Sequence, residues 1–291
     1  MLLHLPDARS ISLDRPRIMG ILNVTPDSFS DGGRHSEVDA AVAHGLQMAR
    51  DGAAFIDVGG ESTRPGAQRV DAAEQIRRTE PVIRGLRAAL DDMGEPGRGV
   101  VISIDTTQAL VAATALDAGA GVINDISAGR EDAAMFALAA KRGAPIVLMH
   151  MLGAPATMQN NPTYGDVVVE LLQHLADRAA AAIAAGVPQS QIVIDPGIGF
   201  GKTREHNLKL LAALDRFVAT GYPVLLGASR KRFMGSICTN ADGTVPAPTD
   251  LLGATCATTS LGVAKGVRIF RVHDVRINRQ AMDVAWAIAN A

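Results

Sequence analysis

Residues 100–125 read VVISIDTTQALVAATALDAGAGVIND. An apolar run, Val100–Asp105, ends in a carboxylate, a helical stretch covers Thr107–Ala118, and a second apolar run, Gly121–Asp125, closes the segment. Strand, helix and strand in that order form a parallel βαβ unit. The pattern repeats outward, with further runs at Ile18–Asn23, Ala54–Asp57, Pro145–His150, Gln191–Asp195, Pro223–Ser229 and Arg268–His273. Helical patterns separate and follow them at about Val38–Asp51, Ala72–Met93, Asp132–Arg142, Tyr164–Ala185, Glu205–Thr220, Thr249–Lys265 and Val275–Asn290. Roughly eight units in roughly 250 residues predict a closed (β/α)8 TIM barrel. We read residues 1–291 as one such α/β domain, with a short N-terminal hairpin within His4–Leu13 closing the bottom.

The helix after Tyr164 is the clearest, because Val167, Val168, Leu171, Leu172, Leu175, Ala179 and Ile183 make one apolar stripe at 3.6 spacing. Gly186 and Pro188 stop it. Pro81 falls inside the second helical pattern and should kink or divide it near Arg78.

A hydrophobic content of 47% with only 3% aromatics describes a core of Ala, Val, Leu and Ile, as strands buried on both faces require. The formal net charge of -2 provides no broad basic field, which argues against nucleic acid or an anionic membrane surface as partner. Cys238 and Cys256 are too few for a disulfide scaffold, and a cytoplasmic location is expected. Met1–Ser10 has no basic region and is interrupted by Pro6 and Asp7, unlike a secretory signal. The longest apolar stretch, Leu251–Val263, is threaded with Thr, Ser and Gly and reads as a buried helix, not a membrane span.

Working residues of such barrels sit at the C-terminal mouth, so Asn23, Asp57, Asp105, Asn124, His150, Asp195, Ser229 and His273 should converge there. Two Gly-flanked loops, Thr25–Ser36 and Glu61–Asp71, follow the first two strands at the length of lids or binding loops. Asp105, Asn124 and Asp195 together supply acceptors and an amide for a flat, donor-rich ring, since carboxylates make strong charge-assisted hydrogen bonds. Asp105 taken alone reads better as the cap of the helix after it. Lys231, Arg271 and His273 stand after strands seven and eight, where barrels often hold phosphate. Alternation puts Arg271 and His273 on one inward face. Gly199-Phe200-Gly201-Lys202-Thr203 imitates a P-loop but has Pro196 where that motif needs Gly. The histidines lack zinc-ligand spacing, and His4, His35, His44, His174 and His206 read as surface or helix positions.

In chain order the motifs NVTPDSFSDGG, IDVGGESTRPGA, SIDTT, VINDISAG, LMH, IDPGIGFGK, GASRKRF and RVHDV resemble the dihydropteroate synthase family of folate biosynthesis, over about residues 18–280. The resemblance implies a transferase that joins p-aminobenzoate to 6-hydroxymethyl-7,8-dihydropterin diphosphate and releases pyrophosphate, with Mg²⁺ as cofactor and sulfonamides competing with the aminobenzoate. Carried over by motif, Asp105, Asn124, Asp195 and Lys231 would hold the pterin, with Met149, Gly227 and Phe200 lining its slot. Asn23, Ser229, Arg271 and His273 would hold pyrophosphate and metal, and Asp31 would close over the metal. Thr63, Arg64, Pro65, Phe29, Phe200 and Ser229 would frame the aminobenzoate. A homodimer is also implied. Other readings of these residues are a folate-dependent methyltransferase domain, which needs no anion clamp, an idle pterin-binding barrel, which would be expected to lose loop residues, and a Schiff-base aldolase using Lys231.

Overall fold

The computed structural model describes residues 1–25, 34–62, 69–153 and 157–291; Phe29, Asp31, Thr63, Arg64 and Pro65 lie outside them. Strands β1 (Leu2–His4) and β2 (Ser10–Ser12) pair antiparallel as the expected hairpin, with Leu3 opposite Ile11. Eight parallel strands follow: β3 (Arg17–Asn23), β4 (Phe55–Gly59), β5 (Val101–Asp105), β6 (Val122–Asp125), β7 (Ile146–Met149), β8 (Ile192–Asp195), β9 (Leu225–Leu226) and β10 (Ile269–Val272). Their order is β8-β7-β6-β5-β4-β3-β10-β9, and a bridge from Ile194 to Val224 brings the two edges together into a nearly closed barrel.

Alternation along these strands sorts the interior into layers. The lowest layer takes one residue from every strand, Met19, Phe55, Val101, Val122, Val147, Val193, Leu225 and Ile269, and packs with Leu3, Leu5, Ile11 and Leu13 of the hairpin. The hairpin therefore plugs the bottom, where the His4 amide also donates to Gln191 Oε1 at 2.9 Å. Intervening residues such as Ile56, Ile102, Ile123 and Phe270 point outward into the larger core under the helices.

The helices are α1 (Arg34–Arg50), α2 (Ala72–Asp92), α3 (Ala109–Asp117), α4 (Met135–Arg142), α5 (Val167–Ala184), α6 (Arg204–Ala212), α7 (Leu214–Val218), α8 (Arg232–Gly235), α9 (Leu252–Ala264) and α10 (Val275–Ala289). Asp166 starts α5 by accepting the amides of Val168 and Val169. Its buried stripe is Val167, Val168, Leu171, Leu175, Ala179 and Ala182, while Ile183, expected in the stripe, is exposed. The helix expected over Glu205–Thr220 is two, α6 and α7, divided at Ala213. Pro81 does not divide α2. Its missing amide frees the carbonyl of Arg77, an exposed residue, which water can satisfy. The small residues of α9 have a packing reason: a side chain at Gly262 would meet the Phe270 ring at 2.6 Å, so glycine lets this helix lie close against the barrel.

Candidate active site

Two residues beyond the apolar plug, the next inward positions are Ile21, Asp57, Ser103, Asn124, Met149, Asp195, Gly227 and Arg271. An apolar floor is thus followed by a ring of acids, amide and guanidinium. Asp57 lies within β4 rather than at its end, because Val58 and Gly59 continue the pairing with β5. That placement buries it fully, at 0% exposure. Its Oδ2 accepts Arg271 Nε at 2.6 Å and Asn124 Nδ2 at 2.9 Å. Arg271 Nη2 reaches Asp105 Oδ2 at 2.7 Å, so one guanidinium clamps two carboxylates. Burial disfavours the Arg271 cation, yet Asp57 and Asp105 outweigh it and raise its pKa further. Arg271, expected on an anion, also holds two acids through Nε and Nη2, and Asp105 is no cap: α3 begins after Gln108.

Burial pushes the Asp105 carboxyl up to about 7 against the pull of Arg271, with Asp57 adding like charge. Burial likewise raises Asp195 to about 6, although the Gly197 amide donates to its Oδ1 at 2.7 Å. Gly197 needs its positive φ of 65°, and any side chain there would strike the His150 carbonyl. Both acids are poised to ionise when donors arrive.

Lys231 projects its ammonium over the Phe200 ring, 4.0 Å from the centroid. Burial, then the Arg271 charge, lowers its pKa to about 8. At the same mouth Ser229 Oγ lies 3.0 Å from His273 Nδ1 and accepts the His273 amide at 3.2 Å. Burial brings His273 down to about 4, leaving a neutral ring at pH 7. Arg230 forms a two-bonded pair with Asp274, at 3.1 and 2.7 Å, tying the loops after β9 and β10 together. Met149 and Phe200 share a small apolar cluster with Ile126, Met151 and Met158, which forms one wall of the slot. Gly227 leaves space beside Asp195 Oδ2 and the Arg271 side chain, each 3.9 Å from where its Cβ would stand. Asn23 ends β3, and a side chain at Gly59 would come 3.6 Å from its Oδ1 and 3.8 Å from Asp105 Oδ2, so both oxygens face one space.

Asp105, Asn124, Met149, Asp195, Phe200, Gly227, Ser229, Lys231, Arg271 and His273 thus line one mouth, with Asn23 at its rim. Asp57, expected at the mouth, is there, but its partners Asn124 and Arg271 lie far away in the chain and are not evident from the sequence. One contributor is not evident from the sequence at all. Lys202 is hidden in the false P-loop. It is buried, with Nζ 2.9 Å from Phe200 O, 3.3 Å from His150 O and 3.1 Å from His150 Nδ1. Burial lowers Lys202 to about 7 and His150 to about 2, the latter also repelled by Lys202. His174, a helix position on α5 as expected, meets the His150 ring edge-on at 4.8 Å.

Residues 19–273 match the family described as pterin binding enzyme. The chain is 47% identical over 282 residues to a dihydropteroate synthase of Mycobacterium leprae (strain TN), covering 97% of this chain and 96% of that one. It superimposes with a TM-score of 0.89, at 38% identity and full coverage of both chains, on the Yersinia pestis dihydropteroate synthase in complex with a sulfonamide drug. The Xanthomonas albilineans dihydropteroate synthase in complex with 7,8-dihydropteroate matches with a TM-score of 0.85 and 39% identity, again over both whole chains. The barrel, its acid-lined mouth and these matches agree: the chain belongs to the dihydropteroate synthase family of pterin-binding enzymes.

Proposed function

We propose that this protein condenses 6-hydroxymethyl-7,8-dihydropterin diphosphate with p-aminobenzoate to give 7,8-dihydropteroate and pyrophosphate. The observation that carries the reading is the buried row of acceptors, Asp105, Asn124 and Asp195, walled by Met149 and Phe200 and flanked by Lys231, Arg271 and His273. Ring donors would meet the carboxylates, and Lys231 would meet the ring's acceptors. Breaking the methylene C–O bond leaves negative charge on the diphosphate and a cationic methylene on the pterin. Arg271 and the neutral His273 ring are placed to receive the first, and Asp195 to offset the second. With Nδ1 facing Ser229, the outward Nε2 of His273 can donate to the departing oxygen. The aniline nitrogen then attacks the methylene and loses its proton. Sulfonamides would occupy the aminobenzoate position.

The rim fits Mg²⁺. Asn23 Oδ1 is a hard oxygen facing open space beside Asp105, and a cation that retains waters and takes substrate phosphate oxygens needs few protein ligands. Asn23 would hold it, with Asp31, outside the described residues, as its second partner; when bound it adds positive charge beside the diphosphate. We further propose a homodimer. A groove of about 450 Å³ between α9 and α10 carries Ile277, Val284 and Ile288 at 42%, 60% and 73% exposure, and a second copy would cover it. A Val284→Glu/Ile288→Glu variant should sediment as a monomer if so. Both cysteines are free, which suits a reducing cytoplasm, and among the described residues no helix is long and apolar enough to cross a membrane.

The test is pyrophosphate release by the purified protein supplied with the pterin diphosphate and Mg²⁺, with and without p-aminobenzoate. Release that requires the aminobenzoate and yields dihydropteroate is expected. Pterin binding without condensation would overturn the reading in favour of a methyltransferase or idle barrel.

A further inference from the structure

We propose that Asp57 is a positioning residue that sets the hydrogen-bonding polarity of the pterin slot: by taking Asn124 Nδ2, it turns Asn124 Oδ1 toward the ligand. The inference rests on the pterin-slot reading above. Asp57 is too deep, at 0% exposure and two positions before the residue that pairs with Asp105, to serve as a rim ligand. What it does is hold two neighbours through one oxygen. Arg271 Nε, 2.6 Å away, can only donate, so Asp57 Oδ2 acts as an acceptor. The Asn124 side chain, 2.9 Å from that same oxygen, is then obliged to offer its amino end. Its carbonyl end, on the opposite side of the amide from the bonded Nδ2, is thereby turned away from Asp57. The slot floor accordingly presents acceptors throughout: Asp105, Asn124 Oδ1 and Asp195.

A buried ion pair by itself contributes little net stability compared with apolar residues of like volume, so fold stability alone gives Asp57 and Arg271 little reason to stand here. Orientation of an amide gives a sharper one. An amide free to rotate by half a turn offers a donor or an acceptor equally, and recognition of a donor-rich ring needs only the second. Specificity of this kind comes from leaving the wrong ligand's polar groups unpaired or opposed.

The experiment compares equilibrium binding of two rings, 6-hydroxymethylpterin and its lumazine counterpart, in which a carbonyl replaces the ring amino group. Wild type should prefer the amino ring by about tenfold or more. In Asp57→Asn, the new amide can donate to Asn124 Oδ1 and reverse it, and the preference should fall by a comparable factor. In the double variant Asp57→Asn/Asn124→Asp, the amide introduced on β4 donates to the carboxylate introduced on β6, whose second oxygen faces the slot. The preference should then return, while Arg271 keeps Asp105 but lacks the Asp57 carboxylate and turnover stays low. General loosening of the fold would weaken both rings alike and leave their ratio unmoved. An unchanged ratio in folded Asp57→Asn would overturn the proposal. So would a double variant that fails to prefer the amino ring, which decides the matter even if the single variant does not fold. Failure of wild type to bind either ring strikes at the pterin reading itself, whereas equal binding of both by wild type sinks only the role of Asp57.

Discussion

The two ends of the barrel are built from the same eight strands and yet share almost no chemistry. At the bottom, one residue from each strand joins the hairpin in an all-apolar plug. Two residues higher, the same strands supply Asp57, Asn124, Asp195 and Arg271, all but the last buried, with Asp57 bonded to both Asn124 and Arg271. The plug gains stability from apolar burial and tight packing. The ring above it carries desolvated charges whose net contribution to stability is small or negative. Polar groups placed there are retained because of what they bind, and the plug below offsets their cost.

The largest effect is expected from removing the one cation that holds the ring together. Arg271→Ala leaves Asp57 and Asp105 buried without their partner, which should cost about 3–5 kcal/mol in chemical denaturation. Turnover should fall on the order of 10²–10³, since a donor to the leaving group is lost as well. Near wild-type turnover would detach Arg271 from the chemistry. Lys202→Met tests whether the ring extends behind the slot. Three acceptors, two of them carbonyls, lose their donor, so a loss of about 1–3 kcal/mol is expected together with weaker pterin binding, because Phe200 is carried by that loop.

The pH dependence separates the two ends further. Asp195 is raised from 3.8 to about 6 in the folded protein, which therefore binds a proton the unfolded chain has already released. Its contribution to stability is full below about pH 4 and is lost as pH rises through about 6, a difference on the order of 3 kcal/mol. Measured against Asp195→Asn, wild type should lose stability across that window, while its affinity for the pterin rises as the carboxylate forms. A flat difference between the two proteins would remove Asp195 from the buried set. The smallest effect lies outside both layers: Asp166→Ala at the start of α5 removes a helix cap, and should lower the unfolding midpoint slightly and leave pterin binding untouched.

Much of this architecture is legible in the chain. Runs rich in Val and Ile fall on the barrel strands, and the plugging hairpin follows from a short alternating segment before Ile18. Strand limits are less so. Pro223–Ser229 reads as a full strand, but only Leu225–Leu226 forms one, with Val224 adding a single bridge to Ile194 and, among the described residues, no pairing beyond Leu226. Site membership is readable from strand ends, whereas commitments between side chains are not. Nothing in a linear sequence says that Arg271 faces Asp57, 214 positions away, before it faces any phosphate. Lys202 escapes for a related reason: a lysine in a glycine-rich loop reads as solvated, and only the fold shows three acceptors enclosing it.

The division of labour between the two layers is tested most directly by measuring, on Phe55→Ala and Asp195→Asn side by side, both unfolding free energy and the dissociation constant for the dihydropterin diphosphate. Phe55→Ala should lose about 3–5 kcal/mol of stability with pterin affinity close to wild type. Asp195→Asn should retain its stability near pH 7, or gain some, and lose pterin affinity by about tenfold or more. If instead the two variants lose stability and affinity in the same proportion, the plug and the polar ring are one cooperative unit and the account is wrong.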